Sequence, residues 1–486
     1  MSTQYDKRNI SMVMDMYELT MSNGYFKEGL RDRPAAFDVF YRNNPDQAGF
    51  AIFAGLEQVV EYIQNLHFSE EDIAYLQSLK MYSEEFLDYL RNFKFRGDIY
   101  AMPEGTVMYP GEPIMTVVAP LIDAQLIETA ILLEINHQSL IATKTNRIVR
   151  SAAGKPVSDF GARRAHNVDA AVYGARAAYI GGAAGTATVL AGEMFGIPIT
   201  GTMAHSWVMS FESEYEAFKA FAENYPDSSS LLVDTYDVLR SGVPNAIRVA
   251  KEVLEPMGKR LRSIRLDSGD LAYLSKEARK MLDEAGLQDC IIVASNSLDE
   301  YTIRSLRVQG AVIDSYGVGE KLITSSTQPV FGAVYKLAAI SENGKFVPKI
   351  KVSETAEKIT NPGIKEIYRV YDENGKAVAD YLAVKGEQID ASKPVRYVDP
   401  VQYWKNRCFV NCTFKPLQKQ IFQNGELVYE LPPLDEIRKY VRHQLDHEIW
   451  QEEQRFENAH THYLDMSPAM FELKMGLLHE ENKQAD

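Results

Sequence analysis

The middle of the chain alternates short apolar runs with longer amphipathic stretches. Each apolar run ends in a polar or glycine-containing turn, and the earlier ones are followed by apolar residues at helical spacing. The segments with this pattern are "KPVSDFG", "GIPITGTMAHS", "SSLLVDTYD", "LRSIRLDSGD", "DCIIVASNS" and "AVIDSYGVG". Repeated strand-then-helix units predict a parallel β-sheet, either open or closed into a barrel.

The segments on either side of this region have a different pattern. Two Asn-Gly dipeptides, Asn343–Gly344 and Asn374–Gly375, separate strand-like runs, which is typical of β-hairpins. Toward the N-terminus, helical patterns mix with strands that are interrupted by proline and glycine, and a long helix is predicted just before the β/α units. An amphipathic helix is predicted in "LDEIRKYVRHQLDHEIW". The flanks therefore predict a mixed region that contains antiparallel hairpins.

Composition and charge exclude several function classes. The chain has 486 residues, of which 45% are hydrophobic, so it can form a large core and at least two domains. Its 52 basic and 67 acidic residues give a formal net charge of −15, which argues against binding to nucleic acid but not to small phosphorylated substrates. The three cysteines are too few for a disulfide framework. Without a signal-peptide or membrane-spanning pattern, we expect a cytoplasmic protein.

Polar residues and glycines cluster where the predicted strands end. In a parallel β/α fold the carboxyl ends of the strands form one face, and ligands bind there. A single histidine at such a position is either a hydrogen-bonded structural residue or a chemical group, and the convergence of the clusters favours the second interpretation for His205. The clustered residues are Asp159, His205, Asp234, Asp237, Asp267, Asp270, Ser295, Asn296, Gly317 and Gly319.

The segment "RLDSGDL" places one arginine, two aspartates, a serine and a glycine at a predicted strand end. Its carboxylates are able to bind the hydroxyls of a sugar or a hydrated Mg²⁺. The other interpretation is a polar turn in which Asp270 caps the next helix.

Two further segments have groups suited to phosphate or to a flat ring. Gly317 and Gly319 in "YGVGEKL" allow backbone N–H groups to approach a phosphate. In "DFGARRAH", Phe160 is able to stack on a ring, while Arg163 and Arg164 are able to pair with a carboxylate or phosphate. That segment is equally compatible with an ordinary surface loop. The Cys408–Cys412 and His443–His447 spacings lack the remaining ligands of a zinc site.

Six segments in the same order resemble the nicotinate phosphoribosyltransferase family. They are "DMYELTMSNGY", "DFGARR", "GTMAHSW", "DTYD", "RLDSGDL" with "SNSLDE", and "YGVGEKL". The resemblance implies an α/β fold, with an irregular β/α barrel at residues 126–334. It also implies a second α/β domain formed by residues 1–125 and 335–486, and a homodimer with shared active sites.

The resemblance also implies a reaction. Nicotinate would attack phosphoribosyl pyrophosphate to give nicotinate mononucleotide, a precursor of NAD, and pyrophosphate. ATP hydrolysis would be coupled to this transfer through a phosphohistidine at His205, with Mg²⁺ as the metal cofactor.

The family's site residues correspond to particular positions of this sequence. Tyr17, reaching in from a partner subunit, and Phe160 would cover the two faces of the nicotinate ring, and Thr202 and Arg265 would contact nicotinate. Asp267 would hold Mg²⁺ or the ribose hydroxyls. The remaining positions that the resemblance assigns to the phosphoribosyl and phosphate groups are Arg164, Ser268, Gly269, Ser295, Asn296, Gly317, Gly319 and Glu320. The sequence departs from some members at Glu320, where they have threonine, so the backbone of Gly319 is the better phosphate ligand.

Three other functions compete with this one. Nicotinamide phosphoribosyltransferase shares the fold and the histidine, but a carboxylate substrate such as nicotinate needs an uncompensated cation. Arg265, Arg163 and Arg164 favour the acid only if nearby aspartates do not neutralise them. Quinolinate phosphoribosyltransferase needs no phosphohistidine and has shorter chains. A non-catalytic barrel that senses a nucleotide or phosphate would not require a nucleophile at residue 205.

Overall fold

The structure, a computed structural model, describes residues 8–355, 358–404 and 406–484. The chain divides into two compact units, the first from Met1–Leu140 with Val330–Asp486 and the second from Ile141–Pro329. The extreme ends of the predicted terminal domain, residues 1–7 and 485–486, lie outside the described residues. No helix in the described ranges is both long enough and apolar enough to cross a lipid bilayer.

Helices and strands alternate along most of the chain. The helices are α1 (Met16–Lys27), α2 (Leu56–Asn65), α3 (Glu70–Ser78), α4 (Glu84–Arg91), α5 (Leu121–Gln125), α6 (Glu128–Ser151), α7 (Val168–Ile180), α8 (Val189–Phe195), α9 (His205–Met209), α10 (Glu214–Asn224), α11 (Val243–Val249), α12 (Leu271–Glu284), α13 (Glu300–Val308), α14 (Glu320–Ile323), α15 (Leu434–His443) and α16 (Pro468–Gln484). The strands are β1 (Pro34–Phe40), β2 (Ala51–Ile52), β3 (Asp98–Ala101), β4 (Val107–Met108), β5 (Met115–Pro120), β6 (Val157–Asp159), β7 (Gly185–Thr186), β8 (Ser230–Leu232), β9 (Ser263–Leu266), β10 (Ile291–Ala294), β11 (Ser315–Val318), β12 (Val334–Glu342), β13 (Lys345–Pro348), β14 (Lys365–Tyr371), β15 (Ala377–Val384), β16 (Val395–Val398), β17 (Asn406–Phe409), β18 (Thr413–Pro416), β19 (Lys419–Gln423), β20 (Glu426–Leu427) and β21 (Leu464–Met466).

The second unit is built on a parallel sheet that has the strand order of a barrel. Its order is β7-β6-β11-β10-β9-β8, and every pairing in it is parallel. The first strand, β6, thus pairs with the last, β11, as closure of a barrel requires. Beyond β7 the ring continues only as a single parallel bridge from Thr186 to Ile199. The predicted irregular β/α barrel is confirmed, and all its strands end on one face.

One predicted barrel strand is wrong. The apolar run Ile197–Thr200 forms only the Ile199 bridge on the outer side of β7, and β7 itself has two residues and no apolar run of its own. Pro198 has no N–H to donate to a sheet, and its carbonyl instead accepts the N–H of Thr186 at 3.0 Å. The chain therefore leaves the sheet early and reaches His205 as a loop.

The first unit contains the antiparallel hairpins that its sequence predicts, in two mainly antiparallel sheets in which β15 and β21 form a parallel pair. A seven-stranded sheet has the order β13-β12-β1-β5-β3-β19-β20, and a six-stranded sheet has the order β17-β16-β21-β15-β14-β18. The hairpin β12–β13 turns at Asn343 and Gly344, whose φ angles of 52° and 77° match the turn that Asn-Gly favours. Phe37 and Tyr335 stack at 4.8 Å between adjacent strands of the larger sheet.

The first turn of helix α1 contains a buried acid, Glu18. Its Oε1 accepts hydrogen bonds from the N–H groups of Asp15 and Thr129 and from the Thr129 hydroxyl, while its buried Oε2 has no protein partner among the described residues. Burial raises the pKa of Glu18 from 4.5 to about 7, partly opposed by the hydrogen bonds from Thr129 and Asp15. The folded protein therefore keeps this proton at pH values at which the unfolded chain has released it.

We expect Glu18→Gln to reduce the loss of stability as the pH rises. Between about pH 4.5 and 7 the folded state binds more protons at Glu18 than the unfolded state, so raising the pH across this window disfavours folding by roughly 2–3 kcal/mol. The glutamine amide would keep the Oε1 acceptor but would not titrate. Thermal midpoints at pH 5 and 8 test this, with the exposed Glu71→Gln as control. A midpoint of the Glu18→Gln protein that falls as far as that of the wild type would contradict the assignment.

Candidate active site

His205 is held by a buried carboxylate at the carboxyl face of the barrel. It is the first residue of the short helix α9, and its Nε2 lies 3.2 Å from Oδ1 of Asp234. The imidazole is 40% exposed, whereas the Asp234 side chain is 1% exposed. Nδ1 has no protein partner in the part of the chain that the structure describes. When Nε2 donates its proton to Asp234, the lone pair of Nδ1 remains available to a ligand.

Asp234 also joins the ends of neighbouring strands. It follows β8, and its Oδ2 accepts hydrogen bonds from the N–H of Asp267 at 3.2 Å and from the Ser268 hydroxyl at 2.6 Å. Asp267 follows β9, and its Oδ1 accepts the hydroxyl of Ser295, which follows β10. Because these strands are adjacent and parallel, residues far apart in sequence meet at one edge. The structure thus brings together four of the predicted strand-end positions.

Arg265 provides a partly buried cation beside these carboxylates. It lies in β9, and its Nη1 donates to the Thr202 hydroxyl at 2.5 Å. Burial lowers the pKa of the guanidinium, while Asp267 and Asp234 raise it and Arg163 lowers it. Its Nε is buried without a hydrogen-bond partner among the described residues. A buried, unpaired guanidinium donor is suited to an anionic ligand.

Phe160 packs on the glycine loop at the end of β11. Its N–H donates to the carbonyl of Val318 at 2.8 Å, and a Cβ on Gly317 would lie 2.4 Å from two ring carbons of Phe160. A Cβ on Gly319 would lie 3.0 Å from the Phe160 carbonyl oxygen. In addition to any role in phosphate binding, Gly317 therefore leaves space for an aromatic ring. The sequence pattern alone did not indicate this packing.

The turns after β9 and β10 need unusual backbone conformations. Gly269 and Asn296 have φ angles of 78° and 81°, in the left-handed region that glycine and asparagine tolerate best. Asp270 Oδ1 accepts the N–H of Tyr273 at 3.0 Å, so the interpretation of Asp270 as a helix cap is confirmed. Asp267 in the same segment instead accepts a hydrogen bond from Ser295, and its binding to a sugar hydroxyl or to Mg²⁺ stays a prediction.

Other predicted residues lie at more open positions. Arg164 and Glu320 are more than half exposed, and their side chains approach each other at 3.9 Å, a distance at which an exposed pair contributes little stability. Tyr17 belongs to the first unit, where its side chain is 41% exposed. Burial and the nearby Glu128 carboxylate raise the pKa of this phenol.

His205, Asp234 and Asp267 each offer one ligand atom, and these atoms lie within 4.8 Å of one another. The two carboxylates are suitable ligands for Mg²⁺, whereas imidazole is a more typical ligand of transition metals. Both oxygens of Asp234 already accept hydrogen bonds, but Oδ2 of Asp267 accepts none from the described residues. Asp267 is therefore the position at which the site fits a hard cation best.

Family-specific sequence models match three segments of this chain. They are the nicotinate phosphoribosyltransferase N-terminal domain at residues 12–136, the nicotinate phosphoribosyltransferase family at 156–375, and the C-terminal domain at 364–474. The nicotinate phosphoribosyltransferase of Bacillus subtilis is 46% identical over 475 residues, covering 97% of this chain and 96% of the relative.

The chain belongs to the nicotinate phosphoribosyltransferase family.

Solved structures agree with this membership. Human nicotinic acid phosphoribosyltransferase superimposes with a TM-score of 0.85 and 28% identity, covering 96% of this chain and 99% of the human one. A nicotinate-nucleotide pyrophosphorylase from Pyrococcus furiosus gives a TM-score of 0.68 at 27% identity, covering 92% and 97% of the two chains. The α/β fold of this member of the nicotinate phosphoribosyltransferase family is thus the fold of its human relative.

For this family member we expect Gly317→Ala to weaken binding of the aromatic substrate. The added methyl group would overlap the Phe160 ring and move it from its position at the barrel mouth. We expect the KM for nicotinate to rise about tenfold, since small overpacking errors cost about 1–3 kcal/mol. Steady-state kinetics would measure this effect. Gly476→Ala, where a Cβ would meet nothing within 4 Å, is the control, and equal KM values for the two variants would refute the packing argument.

Two supporting residues were not predicted as part of the site. The sequence predicts Asp234 only as a polar residue at the end of a strand, although it is the carboxylate that contacts His205. Thr186, whose hydroxyl donates to Asp159, lies in a two-residue strand without a hydrophobic signal. The motif "DTYD" at a strand end was the available signal for the first, and the sequence had none for the second.

Proposed function

We propose that this protein transfers the phosphoribosyl group of phosphoribosyl pyrophosphate to nicotinate and couples the transfer to ATP hydrolysis through His205. The observation that carries the proposal is the half-exposed His205 held by buried Asp234, in the same cluster as Asp267 and beside Arg265. Membership of the nicotinate phosphoribosyltransferase family and the names of its relatives support the same reaction.

His205 is the nucleophile of the ATP step. Nδ1 attacks the γ-phosphorus, a P–N bond forms, and the bond between this phosphorus and the β,γ-bridging oxygen breaks to release ADP. Asp234 accepts a hydrogen bond from Nε2–H, and its negative charge orients the ring and stabilises the positive charge that develops on it. Hydrolysis of the P–N bond later returns the free imidazole and phosphate.

Nicotinate binds between Phe160 and the partly buried cation of Arg265. The carboxylate of nicotinate pairs with Arg265, whose Nε lacks a protein partner among the described residues, and Thr202 fixes the other side of the guanidinium. Phe160 covers one face of the ring. Tyr17 of a second copy of the chain covers the other face in a homodimer, consistent with its partial exposure in one copy.

The phosphoribosyl group lies along the neighbouring strand ends. The turn after β9 contains Ser268 and Gly269, and the turn after β10 contains Ser295 and Asn296. Gly317 lies near the end of β11, and Gly319 directly follows that strand. Asp267 offers to Mg²⁺ or to the ribose hydroxyls a carboxylate oxygen that accepts no hydrogen bond from the described residues. Arg164 and Glu320, which are more than half exposed, complete the positions assigned to the phosphate groups. When bound, Mg²⁺ would neutralise charge on the departing pyrophosphate.

Nicotinamide is the competing substrate, and the charge of the pocket disfavours it. Nicotinamide has no carboxylate, so it would leave the partly buried Arg265 guanidinium without an anionic ligand partner. Arg163 adds positive potential at the same place, whereas the carboxylates of Asp267 and Asp234 oppose it, and the buried Nε of Arg265 still has no hydrogen-bond partner among the described residues. The site therefore favours the acid over the amide.

Labelling with ATP that carries a radioactive γ-phosphate tests the phosphohistidine directly. We expect label on the protein that is lost in acid and retained in base, and that is absent from the His205→Ala variant. The exposed His443→Ala variant is the matched control and should be labelled like the wild type. A protein that forms nicotinate mononucleotide with ATP stimulation but never takes up label would contradict the role of His205.

A further inference from the structure

Asp159 is a fully buried acid at the end of β6 that the proposed reaction does not use. Its Oδ1 accepts the N–H of Gly161 at 2.8 Å, and its Oδ2 accepts the hydroxyl of Thr186 at 2.8 Å. Its backbone carbonyl accepts the N–H of Ala187 at 2.9 Å. The side chain therefore connects the turn after β6 with the end of the neighbouring strand β7.

This carboxylate has no cation beside it among the described residues. Burial raises the pKa of Asp159, and only hydrogen bonds from Thr186 and Gly161 oppose that rise. A buried carboxyl group that lacks an ion pair is costly, and hydrogen bonds to both of its oxygens are what make it tolerable. The Thr186 hydroxyl is itself fixed, because it also accepts the N–H of Thr188 at 3.0 Å.

Asp159 fixes the turn that contains Phe160. The N–H groups of residues 160 and 161 are both fixed, the first by the carbonyl of Val318 in β11 and the second by Asp159. A Cβ on Gly161 would lie 2.5 Å from Ile323 and 2.9 Å from the Asp159 carboxylate, so no side chain fits there. The chain then continues as the 3-10 turn Ala162–Arg164.

We propose that Asp159 and Thr186 are positioning residues that fix the Phe160 turn and so set the affinity of the site for a flat aromatic acid. The inference rests on the proposed function and deepens it. Asp159 is fully buried and both of its carboxylate oxygens accept hydrogen bonds from the protein, so it acts through Phe160 and through Arg163, which follows in the turn and lies near Arg265. The pair should therefore govern binding of the base rather than binding of ATP or phosphoribosyl pyrophosphate.

Thr186→Val is the sharpest test, because valine keeps the shape of threonine and removes only the hydroxyl. It would leave Oδ2 of Asp159 buried without a donor. We expect the KM for nicotinate to rise about tenfold, while the KM values for ATP and phosphoribosyl pyrophosphate change less than about twofold. Thr186→Ser keeps a hydroxyl and should return the KM for nicotinate to within about threefold of the wild type.

The matched control is Thr106→Val in the first unit. Thr106 is also fully buried, and its hydroxyl donates to the carbonyl of Pro103 at 2.6 Å. This variant should lower the thermal midpoint to a similar extent and leave the KM for nicotinate unchanged. A rise in that KM for Thr106→Val, or equal KM values for Thr186→Val and Thr186→Ser, would overturn the proposal.

Hydrogen–deuterium exchange gives a readout that does not depend on activity. Thr186→Val should accelerate exchange in the peptide that contains Phe160–Arg164, whereas Thr186→Ser should not. If Thr186→Val does not fold, Asp159→Asn replaces it, since its amide would keep an acceptor for Gly161 and should give faster exchange in the same peptide. A wild type that turns over neither nicotinate nor nicotinamide would contradict the proposed function, whereas unchanged exchange in the variants would contradict the inference alone.

Discussion

Replacing His205 by alanine should abolish ATP hydrolysis that is coupled to nucleotide formation and leave only slow, ATP-independent transfer. Alanine has no nucleophile for the γ-phosphorus, so the γ-phosphoryl group of ATP could not be transferred to residue 205. We expect turnover in saturating ATP to fall at least about a hundredfold, to the rate that the wild type shows without ATP.

The reason for this large effect is the charge that phosphorylation brings. A phosphohistidine would place about two negative charges beside Asp234 and Asp267. Such a change would alter how the site holds phosphoribosyl pyrophosphate and Mg²⁺, and alanine would prevent it. His443→Ala, at an exposed histidine, is the control for loss of an imidazole. Undiminished stimulation of the His205→Ala protein by ATP would show that the phosphoryl group takes another route.

Replacing Arg265 by glutamine should be the second large effect, and it should be selective for the substrate. Glutamine cannot neutralise a carboxylate, and a buried unpaired carboxylate costs about 3–5 kcal/mol. We expect kcat/KM for nicotinate to fall roughly 10²–10³-fold. Nicotinamide is uncharged and forms no ion pair with Arg265, so its kcat/KM should change far less. The preference of the enzyme should therefore shift toward the amide.

Two further variants make this result specific. Arg265→Lys keeps the charge but cannot donate to Thr202 and to a ligand in the same planar arrangement, so it should recover only part of the activity. Arg262→Gln removes an exposed arginine from just before the same strand and should behave like the wild type. Equal losses for nicotinate and nicotinamide in Arg265→Gln would mean that the arginine supports the fold rather than the carboxylate.

The parts of the fold and site that the sequence predicts are those with a local signal. The parallel sheet follows from apolar runs that end in polar turns, and the first hairpin follows from Asn343–Gly344. Asp267 and Ser295 lie at strand ends as predicted, because strand polarity brings such residues to one face. His205 lies in the same cluster, although the strand predicted before it forms only a single bridge. The family resemblance, confirmed by the sequence comparisons, added expectations about chemistry that periodicity alone does not provide.

The remaining features depend on contacts between segments that are distant along the chain. The hydrogen bond from Arg265 to Thr202 joins a strand to the loop before α9. The close packing of the Phe160 ring against Gly317 joins the two ends of the barrel region. The proline in Ile197–Thr200 shows how an apolar run fails as a strand when its backbone lacks a donor. No local pattern gives the hydrogen bond from Thr186 to Asp159, since it arises only when β6 and β7 lie side by side.

The most direct test of the account is formation of mononucleotide from phosphoribosyl pyrophosphate and Mg²⁺, with nicotinate and nicotinamide assayed in parallel, each with and without ATP. We expect turnover of nicotinate, stimulated by ATP, and little or no turnover of nicotinamide. Efficient use of nicotinamide would keep the fold and the reaction type but contradict the role of Arg265. No product from either base would contradict the proposed function itself.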